Sequence, residues 1–211
     1  MGVSTILSAN QTAQYRGLRM TAAEFLELEE DGCRYELVDG VVCRSPSTLY
    51  WHQKVAAEIL AQIAWFLRSN PIGDVLAEVD VDLGPGPRGG ERVYRPDVVF
   101  VRQEHVPANL DYIKGPPDLI VEVVSASSRR YDHETKKDDY QRCGVPEYWI
   151  IDPQQGAMTF YRHRDGRYAE IKPEGNSFTS EAVVGFTLDL ARLRQAFGVS
   201  PQSWRFDRFK S

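Results

Sequence analysis

An acidic residue inside a run of apolar ones is the feature that most constrains how this chain can fold. Glu122 lies in the segment Leu119-Ile120-Val121-Glu122-Val123-Val124. A near-continuous apolar run of this length is typical of a central strand that is covered on both faces. Burying a carboxylate there costs several kcal/mol unless the group is paired or bound to a cation. The sequence therefore predicts a buried partner for Glu122.

A second acid has the same kind of setting. Asp97 follows Pro96 and precedes the apolar run Val98-Val99-Phe100-Val101. Two such acids on strands that are plausible neighbours indicate one shared partner. Hard divalent cations such as Mg²⁺ take carboxylate oxygens and keep water for chemistry, so a metal site is one hypothesis. The other hypothesis is that each acid is structural and pairs with an arginine, such as Arg95 or Arg129.

A polar helix is predicted over residues 129–143, with Gly144 at its end. One of its faces carries four residues at helical spacing: Asp132, Lys136, Tyr140 and Cys143. Because Tyr140 and Cys143 are the more apolar residues late in this helix, we expect that face to point inward.

An inward face would carry Lys136 toward the sheet, where Glu122 is a candidate partner. A cation beside a metal-bound water can orient the water, lower its pKa and stabilise negative charge in the transition state. The alternative is a surface Asp132–Lys136 pair worth a few tenths of a kcal/mol. The neighbouring Lys137 is expected to point to solvent.

Periodicity along the rest of the chain predicts an α/β (α+β) fold with a mixed central sheet. Helices are predicted after the capping residues Thr21 and Glu24, over 47–69 and over 188–197. Strands are predicted over 75–83, 92–101, 117–124, 147–152, 158–162 and 168–172, and a hairpin turns at Asp39-Gly40. We expect a flexible leader over 1–18, one domain over 19–198, and a C-terminal tail over 199–211 that packs on the domain.

Composition limits the classes of function. The chain has 25 basic and 30 acidic residues, a formal net charge of −5, which disfavours coating nucleic acid through bulk charge. A nuclease whose basic residues cluster beside a metal site stays compatible with that balance. The cysteines Cys33, Cys43 and Cys143 form no C-x-x-C pair, which argues against structural zinc and suits a reducing cytoplasm. We predict no signal peptide and no membrane span, and therefore a cytoplasmic protein.

Several segments together carry a resemblance to a known family. They are Tyr94-Arg95-Pro96-Asp97, Pro117-Asp118-Leu119-Ile120-Val121-Glu122-Val123-Val124-Ser125, Asp132-x-x-x-Lys136-x-x-x-Tyr140 and Gly144-Val145-Pro146-Glu147-Tyr148-Trp149-Ile150-Ile151-Asp152-Pro153. Upstream they are joined by Arg34-Tyr35-Glu36-Leu37-Val38-Asp39-Gly40 and His52, and downstream by Gly185-Phe186. These segments resemble the Uma-two family of restriction-endonuclease-like proteins, in the PD-(D/E)XK nuclease superfamily. The resemblance covers most of residues 20–195.

The resemblance implies a restriction-endonuclease-like core, in which helices flank the mixed sheet. It also implies a hydrolase: an endonuclease, dependent on Mg²⁺ (or Mn²⁺), that hydrolyses DNA phosphodiester bonds with a metal-activated water. Asp97 and Glu122 would be its catalytic metal ligands, and the backbone carbonyl of Val123 a further ligand. The superfamily's lysine normally follows the acid by two residues, a position that Val124 holds here. In this family the lysine role moves to the following helix, where Lys136 matches.

The same comparison implies auxiliary residues. Glu36 matches an upstream acidic position and would contact the metal ion or its water. His52, near the start of the long helix, is a possible auxiliary residue, and a structural or surface histidine is the alternative. Arg88, Arg92 and Arg95 lie in or beside a Gly/Pro-rich loop over residues 84–90 and are candidates for contacts to a DNA backbone.

Three hypotheses about function stay open at this point. The first is the Mg²⁺-dependent DNA endonuclease, for which a homodimer is expected because double-strand cleavage usually calls for two active sites. The second is a catalytically inactive or regulatory homodimer that keeps the nuclease fold. The acidic balance and the absence of a recognisable DNA-reading motif motivate the second hypothesis. The third is a hydrolase that acts on another phosphodiester, because the fold alone does not separate these functions.

Overall fold

The protein is described by a computed structural model, which covers residues 13–45, 49–106 and 111–197. Most of the predicted leader, the start of the helix predicted over 47–69, and the predicted C-terminal tail lie outside these residues. No helix in the described part of the chain is long and apolar enough to cross a membrane.

The helices and strands follow the predicted order closely. The helices are α1 (Ala22–Leu26), α2 (Tyr50–Leu67), α3 (Lys137–Cys143) and α4 (Leu190–Ala196), and a π-helical segment, Tyr131–Lys136, leads into α3. The strands are β1 (Tyr35–Val38), β2 (Val41–Arg44), β3 (Gly73–Ala77), β4 (Val81–Pro85), β5 (Glu91–Tyr94), β6 (Val98–Arg102), β7 (Ile113–Lys114), β8 (Leu119–Val123), β9 (Glu147–Asp152), β10 (Ala157–Arg164), β11 (Arg167–Ile171), β12 (Ser177–Thr179) and β13 (Thr187–Asp189).

A mixed six-stranded sheet forms the centre of the fold. Its strand order is β11-β10-β9-β8-β6-β3, with β8 and β9 parallel and the other neighbours antiparallel. A second sheet, ordered β2-β1-β5-β4-β7, packs against it, and β12 and β13 form a separate hairpin. The predicted α/β (α+β) class with a mixed central sheet is confirmed.

The two faces of the central sheet have different neighbours. Side chains alternate along a strand, so Phe100 of β6 packs with α2 and α4 while Val99 faces the second sheet and α3. The same alternation in β8 sends Leu119 to the first face and Ile120 to the second. Glu122 therefore projects from the second face, into the layer between the central sheet and α3.

Two segments that were each predicted as a single strand are wrong in one respect. Each segment forms two strands, and the two strands belong to different sheets. The segment predicted over 75–83 is divided by Glu78, whose φ of 54° lies in the left-handed region, so β3 joins the central sheet and β4 the second. The segment predicted over 92–101 is divided at Pro96, which has no N–H to donate to a neighbouring strand. As a result β5 belongs to the second sheet and β6 to the central sheet. At both breaks the chain crosses between the two sheets.

The helix predicted over 129–143 is present, but its first half is wider than an α-helix. The π-helical segment Tyr131–Lys136 is followed by α3, and Gly144 ends the helix with a φ of 78°. Asp132, Lys136 and Tyr140 are all buried, so the predicted inward face is confirmed. Lys137 is half-buried, with its Nζ 4.8 Å from the centre of the Tyr161 ring, and does not point freely to solvent as expected.

Candidate active site

Asp97 and Glu122 face each other across two neighbouring strands of the central sheet. Val98 of β6 pairs with Val121 of β8, and one further step along this antiparallel register sets Asp97 opposite Glu122. Oδ2 of Asp97 accepts a hydrogen bond of 2.7 Å from the backbone N–H of Val123, which fixes that carboxylate at the end of the ladder. Both acids are buried, at 7% and 5% exposure.

Lys136 enters this site from the helix above the sheet. Its Nζ lies 2.9 Å from Oε1 of Glu122 and 2.8 Å from Oε1 of Glu36, a residue of β1 in the second sheet. Oδ1 of Asp132, one turn earlier, is 3.8 Å away. The ammonium group thus joins three acids from the central sheet, the second sheet and the helix.

Aromatic side chains enclose Lys136 and Glu122. The hydroxyl of Tyr140 donates a hydrogen bond of 2.9 Å to Oε1 of Glu122. The rings of Tyr94 and Tyr131 have their centres 5.4 and 5.6 Å from Nζ of Lys136, within the range of cation–π attraction. Sequence reasoning missed Tyr94 and Tyr131; their adjacency to the Arg95-Pro96-Asp97 and Asp132 motifs was the available signal.

Burial sets the electrostatics of this cluster. It raises the pKa of Glu122 well above the usual glutamate range, although the Lys136 ammonium lowers it in part. Burial also raises the pKa of Asp132, to about 6. Burial by itself would lower the pKa of Lys136, but Glu122, Glu36 and Asp132 hold it well above the usual lysine value. Lys136 is therefore charged at neutral pH.

Acidic side chains outnumber basic ones in this cluster, and a bound cation would reduce the repulsion among the carboxylates. Three buried carboxylates, from Glu36, Glu122 and Asp132, lie around the single ammonium group that the described residues contribute to the cluster, and a fourth, from Asp97, lies opposite Glu122 on the neighbouring strand. No three His, Cys, Asp or Glu side chains in the described ranges are arranged to hold a metal ion together. A site built from Asp97 and Glu122 still fits Mg²⁺, because this ion binds through one or two carboxylates and completes its shell with water and substrate phosphates.

The two auxiliary residues also lie at the site. His52, in the first turn of α2, has Nε2 3.3 Å from Oδ2 of Asp97, and within the described chain its buried Nδ1 has no hydrogen-bond partner. Glu36 accepts a hydrogen bond of 3.2 Å from the backbone N–H of Arg95 in addition to its contact with Lys136. The structure thus brings five of the predicted side chains together: Asp97, Glu122, Lys136, Glu36 and His52.

The two arginines that could have made the strand acids merely structural have other partners. Arg95 forms a bidentate salt bridge with Asp80, in which Nε lies 2.7 Å from Oδ1 and Nη2 lies 2.6 Å from Oδ2. Arg129 contacts Asp152, with Nε 2.5 Å from Oδ2. The positive charge next to Glu122 comes instead from Lys136.

Arg92 is not on the surface, and we correct its predicted contact to a DNA backbone. Its side chain is 3% exposed and its Nη1 lies 2.6 Å from Oδ1 of Asp139, so the guanidinium joins β5 to α3. Arg88 is 85% exposed and pairs with Asp39, and Arg95 is one-third exposed. Contacts of Arg88 and Arg95 with DNA stay predictions.

Comparisons with known proteins identify the family and the fold. A family model, Uma2, described as "Putative restriction endonuclease", matches residues 22–191. A solved structure from Anabaena variabilis ATCC 29413, a "putative nuclease belonging to DUF820", superposes with a TM-score of 0.69 at 18% identity, covering 84% of this chain and 99% of that one. No match was found among curated proteins. The resemblance inferred from the motifs is confirmed, and so is the nuclease-like fold.

Proposed function

Because this chain belongs to the Uma2 family, whose model spans residues 22–191, we propose that it is a Mg²⁺-dependent endonuclease that hydrolyses DNA phosphodiester bonds. Asp97 and Glu122 are the proposed metal ligands, and Lys136 is the proposed catalytic cation. One observation carries the proposal: two buried acids face each other across β6 and β8, and Nζ of Lys136 lies 2.9 Å from one of them.

The ligand chemistry suits Mg²⁺, or Mn²⁺ in its place. Asp97 and Glu122 offer hard carboxylate oxygens, and the backbone carbonyl of Val123 is proposed as a third ligand. When bound, the ion would polarise the phosphodiester and lower the pKa of a coordinated water. Glu36 is proposed to hydrogen-bond that water, since its carboxylate already reaches the same ammonium group as Glu122.

Lys136 is suited to act on the substrate from a fixed position. An ammonium group has three N–H donors, and the contacts with Glu36 and Glu122 occupy two of them. The third can donate to a phosphate oxygen, where it would stabilise the negative charge that grows during attack. The contacts with Glu36 and Glu122 hold the ammonium group in a fixed position.

His52 is proposed to position Asp97 rather than to act on the substrate. Its Nε2 contacts the same Oδ2 atom that accepts the Val123 N–H, so the imidazole restrains the orientation of the carboxylate. A side chain that contacts a metal ligand in this way orients the ligand and tunes its basicity.

Cleavage of supercoiled plasmid DNA tests the proposal. We expect nicking in Mg²⁺ and none in EDTA. Asp97→Asn, Glu122→Gln and Lys136→Ala should each abolish the Mg²⁺-dependent nicking, whereas Lys137→Ala, the neighbouring lysine, should nick like the wild type. Equal nicking by the wild type and Lys136→Ala would remove Lys136 from the mechanism.

A catalytically inactive or regulatory homodimer is the second candidate, and a specific observation favours it. Oε1 of Glu122 is already satisfied by Lys136 and Tyr140, so the acid needs no metal ion to be tolerated in the core. Titration of Mg²⁺ and Mn²⁺ by calorimetry separates the two candidates. Binding that Asp97→Asn removes supports the enzyme, and absence of binding by the intact protein supports the inactive homodimer.

Cleavage of both DNA strands would require two active sites, and on that ground a homodimer is proposed for the enzyme as well. Sedimentation velocity, with and without a DNA duplex, measures the oligomeric state directly. A monomer under both conditions would contradict the proposed homodimer.

A further inference from the structure

The arginines beside strand β2 differ from most others in this protein. Elsewhere in the described chain, arginines are commonly held by acids: examples are Arg34, Arg88, Arg92, Arg95, Arg129 and Arg162. Arg16 and Arg44 are exposed, and neither forms a salt bridge with any residue of the ranges 13–45, 49–106 and 111–197. In an acidic protein, two unneutralised guanidinium groups close together mark a local positive surface.

These two arginines border an open cleft of about 580 Å³ whose walls are residues 16–17 and 41–45. The cleft exists because the chain before α1 runs along the outer edge of β2. The N–H of Gly17 donates to the carbonyl of Val42 at 2.8 Å, and the N–H of Val42 donates to the carbonyl of Leu18 at 2.9 Å. This backbone pairing fixes Arg16 beside β2.

The cleft lies one strand away from the candidate active site. Cys43 lines it and is the direct cross-strand partner of Glu36, so their side chains lie on the same face of the second sheet. Arg44 follows Cys43, so its side chain projects from the other face and borders the cleft at the outer edge of β2. Burial raises the pKa of the Cys43 thiol, the Glu36 carboxylate raises it further, and the Arg16 guanidinium lowers it. Both charged groups therefore act on one thiol, and the cleft begins one strand, about 5 Å, from Glu36.

We propose that this cleft binds the backbone of the DNA strand next to the scissile phosphate, with Arg16 and Arg44 contacting its phosphate groups. The inference rests on the proposed endonuclease function and names the path of its substrate. A guanidinium matches phosphate oxygens with paired N–H donors. Positive charge is also needed at this place, because the four buried acids of the cluster would otherwise repel the backbone.

Fluorescence anisotropy with a labelled DNA duplex tests the proposal. The buffer contains Ca²⁺ in place of Mg²⁺, so that the carboxylates can bind a cation whose coordination geometry differs from that of Mg²⁺. The affinity is measured over a series of salt concentrations for the wild type, for Arg16→Ala/Arg44→Ala and for Arg167→Ala. Arg167 is an exposed arginine at the far hairpin of the central sheet and serves as the matched control. All three substitutions remove exposed side chains, and thermal unfolding checks that the fold is intact.

We expect the double variant to bind at least about tenfold more weakly, with the slope of log affinity against log salt reduced by about one for each arginine. Arg167→Ala should match the wild type. An unchanged slope and affinity in the double variant, with plasmid cleavage intact in the wild type, would overturn this inference and leave the proposed function standing. DNA binding that depends on Arg16 and Arg44, without any cleavage by the wild type, would overturn the proposed endonuclease function and leave the cleft as a DNA-binding surface. Absence of DNA binding by the wild type would overturn both.

Discussion

Nζ of Lys136 lies 2.9 Å from Oε1 of Glu122, a contact that ties the helix after β8 to the middle of the central sheet. Both side chains are buried, and Glu36 provides the second acid at 2.8 Å. A buried ion pair adds little stability compared with apolar side chains, but removing one partner leaves a charge without compensation. Lys136 is therefore expected to support the fold as well as the proposed chemistry.

Replacing Lys136 with methionine should destabilise the metal-free protein by about 3–5 kcal/mol, because Glu122 and Glu36 lose their common cation. Urea unfolding in EDTA measures the change. Lys137→Met is the matched control, with an expected loss below about 1 kcal/mol, since it removes only a contact over the Tyr161 ring. Adding Glu122→Gln to Lys136→Met should recover part of the loss. Equal stability of the wild type and Lys136→Met would show that the pair does not form.

Asp132 should make the metal-free protein less stable as the pH rises from about 4 to about 6. Its folded pKa is raised from 3.8 to about 6 by burial, so the folded state binds the proton more tightly than the unfolded state in that window. The cost in stability is full above the folded pKa, shrinks as the pH falls from about 6 to about 4, and is absent below the unfolded pKa. Asp132→Asn removes the titration.

The measurement for Asp132 is the difference in unfolding free energy between Asp132→Asn and the wild type, followed in EDTA across this pH range. As the pH rises, the unfolding free energy of Asp132→Asn should increase relative to that of the wild type, and the difference should become constant above about pH 6. Glu134→Gln, which removes an exposed acid of the same helical segment, is measured alongside as the control variant. A constant difference for Asp132→Asn would contradict the raised pKa.

Mg²⁺ should stabilise the wild type against thermal unfolding, since an ion that binds only the folded state adds about 2.7 kcal/mol at a hundredfold excess over its Kd. Asp97→Asn and Glu122→Gln should remove this stabilisation, and Glu134→Gln should keep it. Differential scanning fluorimetry with increasing Mg²⁺ gives the comparison. Stabilisation that survives in both Asp97→Asn and Glu122→Gln would place the ion elsewhere.

Arg92 should behave as a structural residue. Arg92→Met leaves the buried Asp139 with only the half-exposed Arg142, at 3.5 Å, as a cationic neighbour, and should cost about 3 kcal/mol in urea unfolding. Arg88→Met, in the same hairpin but exposed, should cost less than about 1 kcal/mol. A loss of DNA binding by folded Arg92→Met, without a loss of stability, would restore the original assignment of Arg92 to the DNA surface.

The core of the candidate site was predictable because its signals are local. A carboxylate inside an apolar run shows itself in a few residues around Glu122, and helical spacing alone turns Lys136 to the same side as Tyr140. The cost of burying a lone charge then requires that acid and lysine meet. Glu36 and His52 were predicted as site residues only from the family motifs, because nothing in their immediate sequence indicates a buried site.

Other features depend on contacts distant in sequence. Alternation along residues 75–83 continues through Glu78, so the pattern does not show that the chain changes sheets there. Arg92 has the charge of a surface residue, and its burial depends on Asp139, 47 positions later in the chain. The hairpin of β12 and β13 was missed because strands of three residues are too short for a period to appear.

The most direct test of the central claim is a crystal structure grown with Mn²⁺, with the anomalous signal of the ion used to find it. The account predicts a Mn²⁺ ion bound by the carboxylates of both Asp97 and Glu122, with Nζ of Lys136 close by. Full anomalous data with no ion between Asp97 and Glu122, in crystals where these side chains are ordered, would contradict it.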